Sequence, residues 1–302
     1  MTGQTTADWI AHFLRAKFPH GPTAHTHYGE LIVDFWESGL ASPHLLTEIT
    51  SGGDGKFWSF LWEAMLYRHL RSLGFAFKEG RVTKAGQAGP DFGVVHNGQT
   101  IWIEAVVPAP SGIPEDFLRS PELGEPARVR SAPHEAVQLR WLSAIADKQK
   151  KIAEYISTGL IAPTECAVIA INGCRLADWW PNDNGVSQLP MVVEAVFGIG
   201  PIAIPISPGG KLDGEPIRLP RRTIQKPNKS HVPTTSFLYP EFAHIGAALG
   251  CIRKDMLQPT FPLTVVHNPL ATNPVPRRIL AATKEFVADE QGDTYLLHPL
   301  DD

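Results

Sequence analysis

Two apolar periods run through this chain, one helical and one strand-like, and together they divide it into elements. Apolar positions recur three and four apart over residues 6–18 and 28–39, which predicts two helices forming an N-terminal cap over residues 1–50. The glycine-rich turn SGGDGK, residues 51–56, then opens a helix predicted over 56–73, with Asp54 as its N-cap. Two or three strands are expected between residues 75 and 107, followed by a Pro/Gly-rich loop over 108–133. A long helix is predicted over 134–158, stopped by Gly159 and Pro163, and CAVIAING at 166–173 reads as a buried strand. Further apolar segments lie near 191–206, 235–252 and 261–267, and a last helix is expected from about Pro276. Helix, β-meander, helix and strand in that order point to a mixed α/β domain. No linker divides it, so residues 1–302 read as one domain with a core at 56–173 and an extension at 174–302 that completes it.

The stretch GPDFGVVHNGQTIWIEAVVP, residues 89–108, carries the sharpest local signal. Asn97-Gly98 between alternating runs predicts a two-residue hairpin turn, so cross-strand partners have numbers summing to 195. Asp91 then falls opposite Glu104 on one face, with Cβ atoms roughly 5 Å apart. Like charges so placed call for a cation, a shared proton or free access to water. A hard cation such as Mg²⁺ or Mn²⁺ suits two carboxylates with no His or Cys beside them.

Val106 is the next residue on that face, so the cation does not come from this strand. On the 134–158 helix, Val137, Trp141, Ala144, Ile145, Ile152 and Tyr155 form one apolar stripe, and Lys148 projects into its middle. Lys151 and Arg140 lie at its edge, and Lys150 points away. A lysine inside such a stripe snorkels or pairs with buried carboxylates, which makes Lys148 a partner for Asp91 and Glu104, either as a plain internal ion pair or as part of a site. Glu63 sits in FWSFLWEAMLYRHL, a segment apolar nearly all round, and needs a partner there: Tyr67, Lys56 or the same site.

Composition changes this picture little. The chain has 302 residues and a formal net charge of −4, so no global positive field announces a nucleic-acid binder. Residues 211–229 are an exception. Six cations (Lys211, Arg218, Arg221, Arg222, Lys226, Lys229) against Asp213 and Glu215 give a local +4, which suits a solvated loop or a phosphate-contacting arm. Cys166, Cys174 and Cys251 are odd in number and lack metal spacing, so free buried thiols are expected. There is no signal-peptide pattern and no membrane-spanning run, which makes a cytoplasmic protein without a membrane partner the expectation. No Gly-x-Ser-x-Gly elbow is present, SGGDGK lacks P-loop spacing, and His231, His244, His267 and His298 lie apart. Trp179-Trp180 could stack bases or anchor a loop.

Glu63 in a first helix, Pro90-Asp91 opening a strand and Glu104-Ala105-Val106 ending the next, with Lys148 on the helix that follows, resemble the PD-(D/E)xK nuclease superfamily. The resemblance covers about residues 56–173. HIGAALGC and TVVHNPLATNPVP look like the C-terminal part of bacterial restriction-like proteins. The resemblance implies a restriction-endonuclease-like α/β fold, a mixed central sheet flanked by helices. It also implies hydrolysis of DNA or RNA phosphodiester bonds with Mg²⁺ or Mn²⁺. Asp91 and Glu104 would hold the metal with Glu63 as an outer ligand, and Lys148 would assist in place of the motif lysine, whose position Val106 occupies. Lys151, Arg140, Arg221 and Arg222 are the expected nucleic-acid contacts, DNA is the expected partner, and a homodimer is compatible with the scheme. A nuclease fold kept only for binding nucleic acid or protein is the main alternative. An enzyme acting on small phosphorylated substrates is another.

Overall fold

The computed structural model describes residues 5–42, 44–51, 53–78, 89–119, 125, 131–176, 183–257, 261–292 and 294–300. The chain opens with helices α1 (Thr6–Lys17), α2 (Pro22–Glu37), α3 (Leu45–Ser51) and α4 (Gly53–Ser72). Strands β1 (Ala76–Phe77), β2 (Phe92–His96) and β3 (Gln99–Val106) follow, then α5 (Glu115–Leu118), α6 (His134–Ser157) and β4 (Cys166–Asn172). After α7 (Met191–Phe197) come the short strands β5 (Ile199–Ala203), β6 (Ile217–Pro220), β7 (Thr223–Gln225) and β8 (His231–Pro233). The chain ends with β9 (Ala247–Cys251), β10 (Thr264–His267), β11 (Lys284–Gln291) and β12 (Thr294–Pro299).

Eight strands form one mixed sheet in the order β1-β2-β3-β4-β9-β10-β11-β12. β1, β2 and β3 are an antiparallel meander, β3 runs parallel to β4, and β4 runs parallel to β9. The fold is therefore α/β with a large mixed sheet flanked by helices, as the sequence predicts. Residues beyond 174 supply four of the eight strands.

Side chains of the central strands alternate between two buried layers. Ile101, Ile103 and Ala105 of β3, with Cys166, Val168 and Ala170 of β4, pack under α1, α2 and α4. Trp102, Ala167, Ile169 and Ile171 pack on the other face against α6 and α7. Burial on both faces explains the unbroken apolar run of β4, because helices cover each side of a strand at the centre of the sheet. Each fully buried Leu, Ile or Phe in these layers contributes about 1.5–3 kcal/mol. α4 is the central helix of the first layer, and its Trp62 indole N–H donates to the Ala170 carbonyl at 3.1 Å.

Several boundaries differ from the sequence reading. α2 begins at Pro22 rather than near 28, because proline suits the first turn even when polar residues follow. α4 begins at Gly53, so Asp54 lies inside the first turn, where it ion-pairs with Lys17 instead of capping the helix. The helix expected from Pro276 is absent. That segment is irregular, with Arg278 and Ala281 at positive φ, and it buries Val275 and Leu280 before β11 begins. The basic stretch belongs to two small hairpins, β5–β6 and β7–β8. The first of these exposes Ile202, Ile204, Ile206, Leu212, Ile217 and Leu219. Among the described residues no helix is long and apolar enough to cross a membrane.

Candidate active-site cleft

The β2–β3 register is the one the Asn97-Gly98 turn dictates. Phe92 pairs with Ile103, Val94 with Ile101 and His96 with Gln99. Both turn residues have positive φ, 47° for Asn97 and 79° for Gly98, the conformation that favours Asn-Gly. Asp91 lies just before the first pair, and its Oδ2 accepts a hydrogen bond from the Ala105 N–H at 2.8 Å. The hairpin thus fixes one carboxylate at the mouth of the strand pair and sets Glu104 beside it, on the α6 face.

Glu104 is 1% exposed, and a carboxylate so buried requires donors. It has three. Lys148 Nζ lies 2.5 Å from Oε2, Lys151 Nζ lies 3.0 Å from Oε1, and the Tyr155 hydroxyl donates to Oε1 at 3.0 Å. Lys148, Lys151 and Tyr155 are spaced three and four apart, so one face of α6 presents all of them to a single strand position. Lys148 Nζ is also 3.9 Å from Asp91 Oδ2. One ammonium, 16% exposed, therefore bridges both carboxylates.

Asp91 and Lys148 line one end of a cleft of about 500 Å³, with Glu104 buried behind Lys148. Glu63 and Ser59 of α4, Lys56 near its start, Val106 of β3 and Arg175 after β4 also line it. The cleft thus joins the two layers across the end of β3, with Glu63 arriving from the α4 side and Lys148 from the α6 side. Val106 contributes an apolar wall. Among the described residues, no group of three or more His, Cys, Asp or Glu side chains forms a metal-holding set.

The other expected contacts are dispersed. Arg140 is half-buried two turns before Lys148, and its Nε is buried without a hydrogen-bond partner. Arg221 ion-pairs with Glu135 at 2.6 Å and donates to Gln138. Glu135 precedes Lys148 by 13 positions on α6, so Arg221 is anchored about 20 Å along the helix from the cleft. Arg222 is exposed on the same segment as Arg221. Trp179 and Trp180 lie outside the described residues. His267 pairs with Glu285 at 2.5 Å and His298 with Asp289 at 2.7 Å, both away from the cleft. The three cysteines are free and buried, as their number and spacing predict.

Sequence reasoning missed two groups. Tyr155 reads as one more apolar member of the α6 stripe, although its position seven after Lys148 places its hydroxyl on the same face. Arg175 follows β4 in an irregular turn, where no periodicity marks it. Comparison with family models, with characterised proteins and with solved structures finds no match for this chain.

Proposed function

We propose that the protein is a metal-dependent phosphodiesterase acting on nucleic acid, with DNA as the first expected substrate and Asp91, Glu104 and Lys148 as its reactive centre. The observation that carries this reading is the contact of Lys148 with both Glu104 and Asp91. The element order supports it: α4, the β1–β3 meander, α6 and a parallel β4 are the succession that the superfamily resemblance implies.

The donor set fits a hard cation. Mg²⁺ is characteristically held by one or two carboxylates together with water and substrate phosphate oxygens, so it does not need three protein carboxylates. Asp91 and Glu104 would hold it with the Ala105 carbonyl, and Glu63 faces the same space. Bound there, the metal would polarise the scissile phosphate and acidify a water molecule. The chain's own groups do the rest. Tyr155 and Lys151 fix the Glu104 carboxylate in one rotamer, and the Ala105 N–H fixes Asp91. Lys148 places a positive charge beside both, where it orients a nucleophilic water and offsets charge developing on the phosphate. Val106 keeps that side of the cleft apolar, which strengthens the electrostatics of the groups opposite.

A second reading has its own support. Glu104 already satisfies both oxygens with protein donors, as it would in a nuclease fold kept for binding alone.

Cleavage of plasmid and single-stranded DNA by the purified chain with Mg²⁺ or Mn²⁺ decides between them, with Asp91→Ala and Lys148→Ala beside it. The expected result is metal-dependent cleavage that both substitutions abolish. DNA affinity that weakens with salt, ignores metal and leaves the strand intact would overturn the enzymatic reading in favour of the binding fold.

A further inference from the structure

Arg175 is half-buried in the turn after β4 and lines the cleft together with Lys56, Ser59, Lys148 and Asp91. Its guanidinium lies so close to α4 that a Cβ at Gly55 would sit 3.0 Å from Nη1. The glycine therefore makes room for the guanidinium at the wall.

Among the described residues Arg175 makes no hydrogen bond and no ion pair. The arginines elsewhere on the molecule show the contrast: Arg221 holds Glu135 and Arg71 holds Asp34, each at 2.6 Å. Asp54 feels the field of Arg175 but is already bound to Lys17. Lys56 is 58% exposed, and its ion-pair contact to Glu48 spans 4.0 Å. Among the described residues Arg175 thus stands at the cleft wall without an ion pair of its own, and Lys56 beside it reaches Glu48 only at 4.0 Å. A half-buried guanidinium with five donors and no acceptor, facing a cleft, is open to acceptors brought by water or by a ligand. Phosphate oxygens match its fork in bidentate fashion, and an ammonium alongside adds a point charge.

We infer that Arg175 and Lys56 form a phosphate-binding subsite, which seats a strand phosphate neighbouring the one at Asp91 and Glu104. This rests on the phosphodiesterase reading for the identity of the strand, although the subsite itself needs only a phosphate group. Arg175 acts here by positioning the substrate and not by chemistry.

The test separates the two claims. Binding of inorganic phosphate, of a short single-stranded oligonucleotide bearing a terminal phosphate and of the same strand without it is measured on the intact protein without metal. Arg175→Ala, Arg175→Lys and Lys56→Ala are compared, with circular dichroism and melting curves confirming that each variant is folded. Arg175→Ala is expected to weaken both phosphate and oligonucleotide binding by about tenfold, the scale of one charge-assisted bidentate contact, and Arg175→Lys to restore part of it. With Mg²⁺ present, the loss should fall on KM more than on kcat.

Unchanged oligonucleotide binding in folded Arg175→Ala overturns the subsite. Arg175-dependent binding of inorganic phosphate alone, with both strands indifferent to the substitution, also overturns it as a strand site. Arg175-dependent strand binding without cleavage leaves the subsite standing and removes the phosphodiesterase. Cleavage with unaltered KM in Arg175→Ala removes the subsite alone.

Discussion

Lys148 Nζ lies 2.5 Å from Oε2 of Glu104, 44 positions earlier in the chain, and the two side chains are 16% and 1% exposed. A strand carboxylate and a helix ammonium that share no local sequence are thereby joined at the mouth of a cleft. The pair holds the end of β3 to the middle of α6, so its removal is felt in the fold as well as in any chemistry.

Breaking this pair from one side leaves a buried charge short of a donor. Glu104 keeps Lys151 and Tyr155 in Lys148→Met, so the cost is about 1–3 kcal/mol rather than the full penalty for an orphaned buried ion. Glu104→Gln with Lys148→Met together should cost less than the two single substitutions summed. A double-mutant cycle in urea checks this, with a coupling of roughly 0.5–3 kcal/mol expected for residues in contact.

The proposed metal site carries its own prediction. A divalent cation held at Asp91 and Glu104 would share Glu104 with the Lys148 ammonium, so on that proposal Lys148→Met should bind Mn²⁺ more tightly than the unaltered chain while losing cleavage. Melting temperature followed against Mn²⁺ concentration reads the affinity directly, because ligand held by the folded state raises stability. Asp91→Ala should remove the rise in both backgrounds.

Gly93 gives a prediction confined to packing. It pairs with Trp102 across the hairpin, and a Cβ at Gly93 would lie 2.6 Å from the indole Cζ3. Gly93→Ala pushes that ring out of its packed position and should cost about 1–3 kcal/mol by thermal melting. Trp102 also donates to Glu165 at 2.7 Å, so its fluorescence should shift in the variant.

Glu194 predicts a pH dependence. It is buried on α7, and burial raises its carboxyl above the usual range despite the hydrogen bond from the Ser187 N–H at 2.6 Å. The folded chain therefore keeps that proton to higher pH than the unfolded chain does. The stability this contributes is complete below the ordinary glutamate value of 4.5 and is lost as pH rises through the folded value. Glu194→Gln should match the unaltered chain near pH 4 and become the more stable of the two by pH 8. Denaturant midpoints at several pH values test the crossover.

How far the sequence reaches follows from how local each signal is. The β2–β3 register is legible because Asn97-Gly98 and a period of two leave one pairing, and convergence of Asp91 and Glu104 follows from it. Lys148 is legible because it interrupts an apolar stripe. Arg175 is not, since it lies in a turn and meets Gly55 only after α4 and β4 are packed together. The end of the chain misleads because Pro276 suits a first helical turn, while the residues that follow lead into β11, which pairs antiparallel with β12 at the sheet edge. That β9 enters between β4 and β10 depends on partners tens of residues apart, which no local pattern encodes.

The arrival of an ammonium from α6 has a consequence for how such chains vary. Contact of Lys148 with Asp91 and Glu104 depends on how α6 packs against β3 and not on a fixed spacing along the sequence. Position 106 then needs only a side chain that suits the cleft wall. Chains descended from a common ancestor with this one would then preserve a triangle of atoms while their letters and spacings drift, and kinship among them would be recovered by superposing carboxylates and amines rather than by reading along the string.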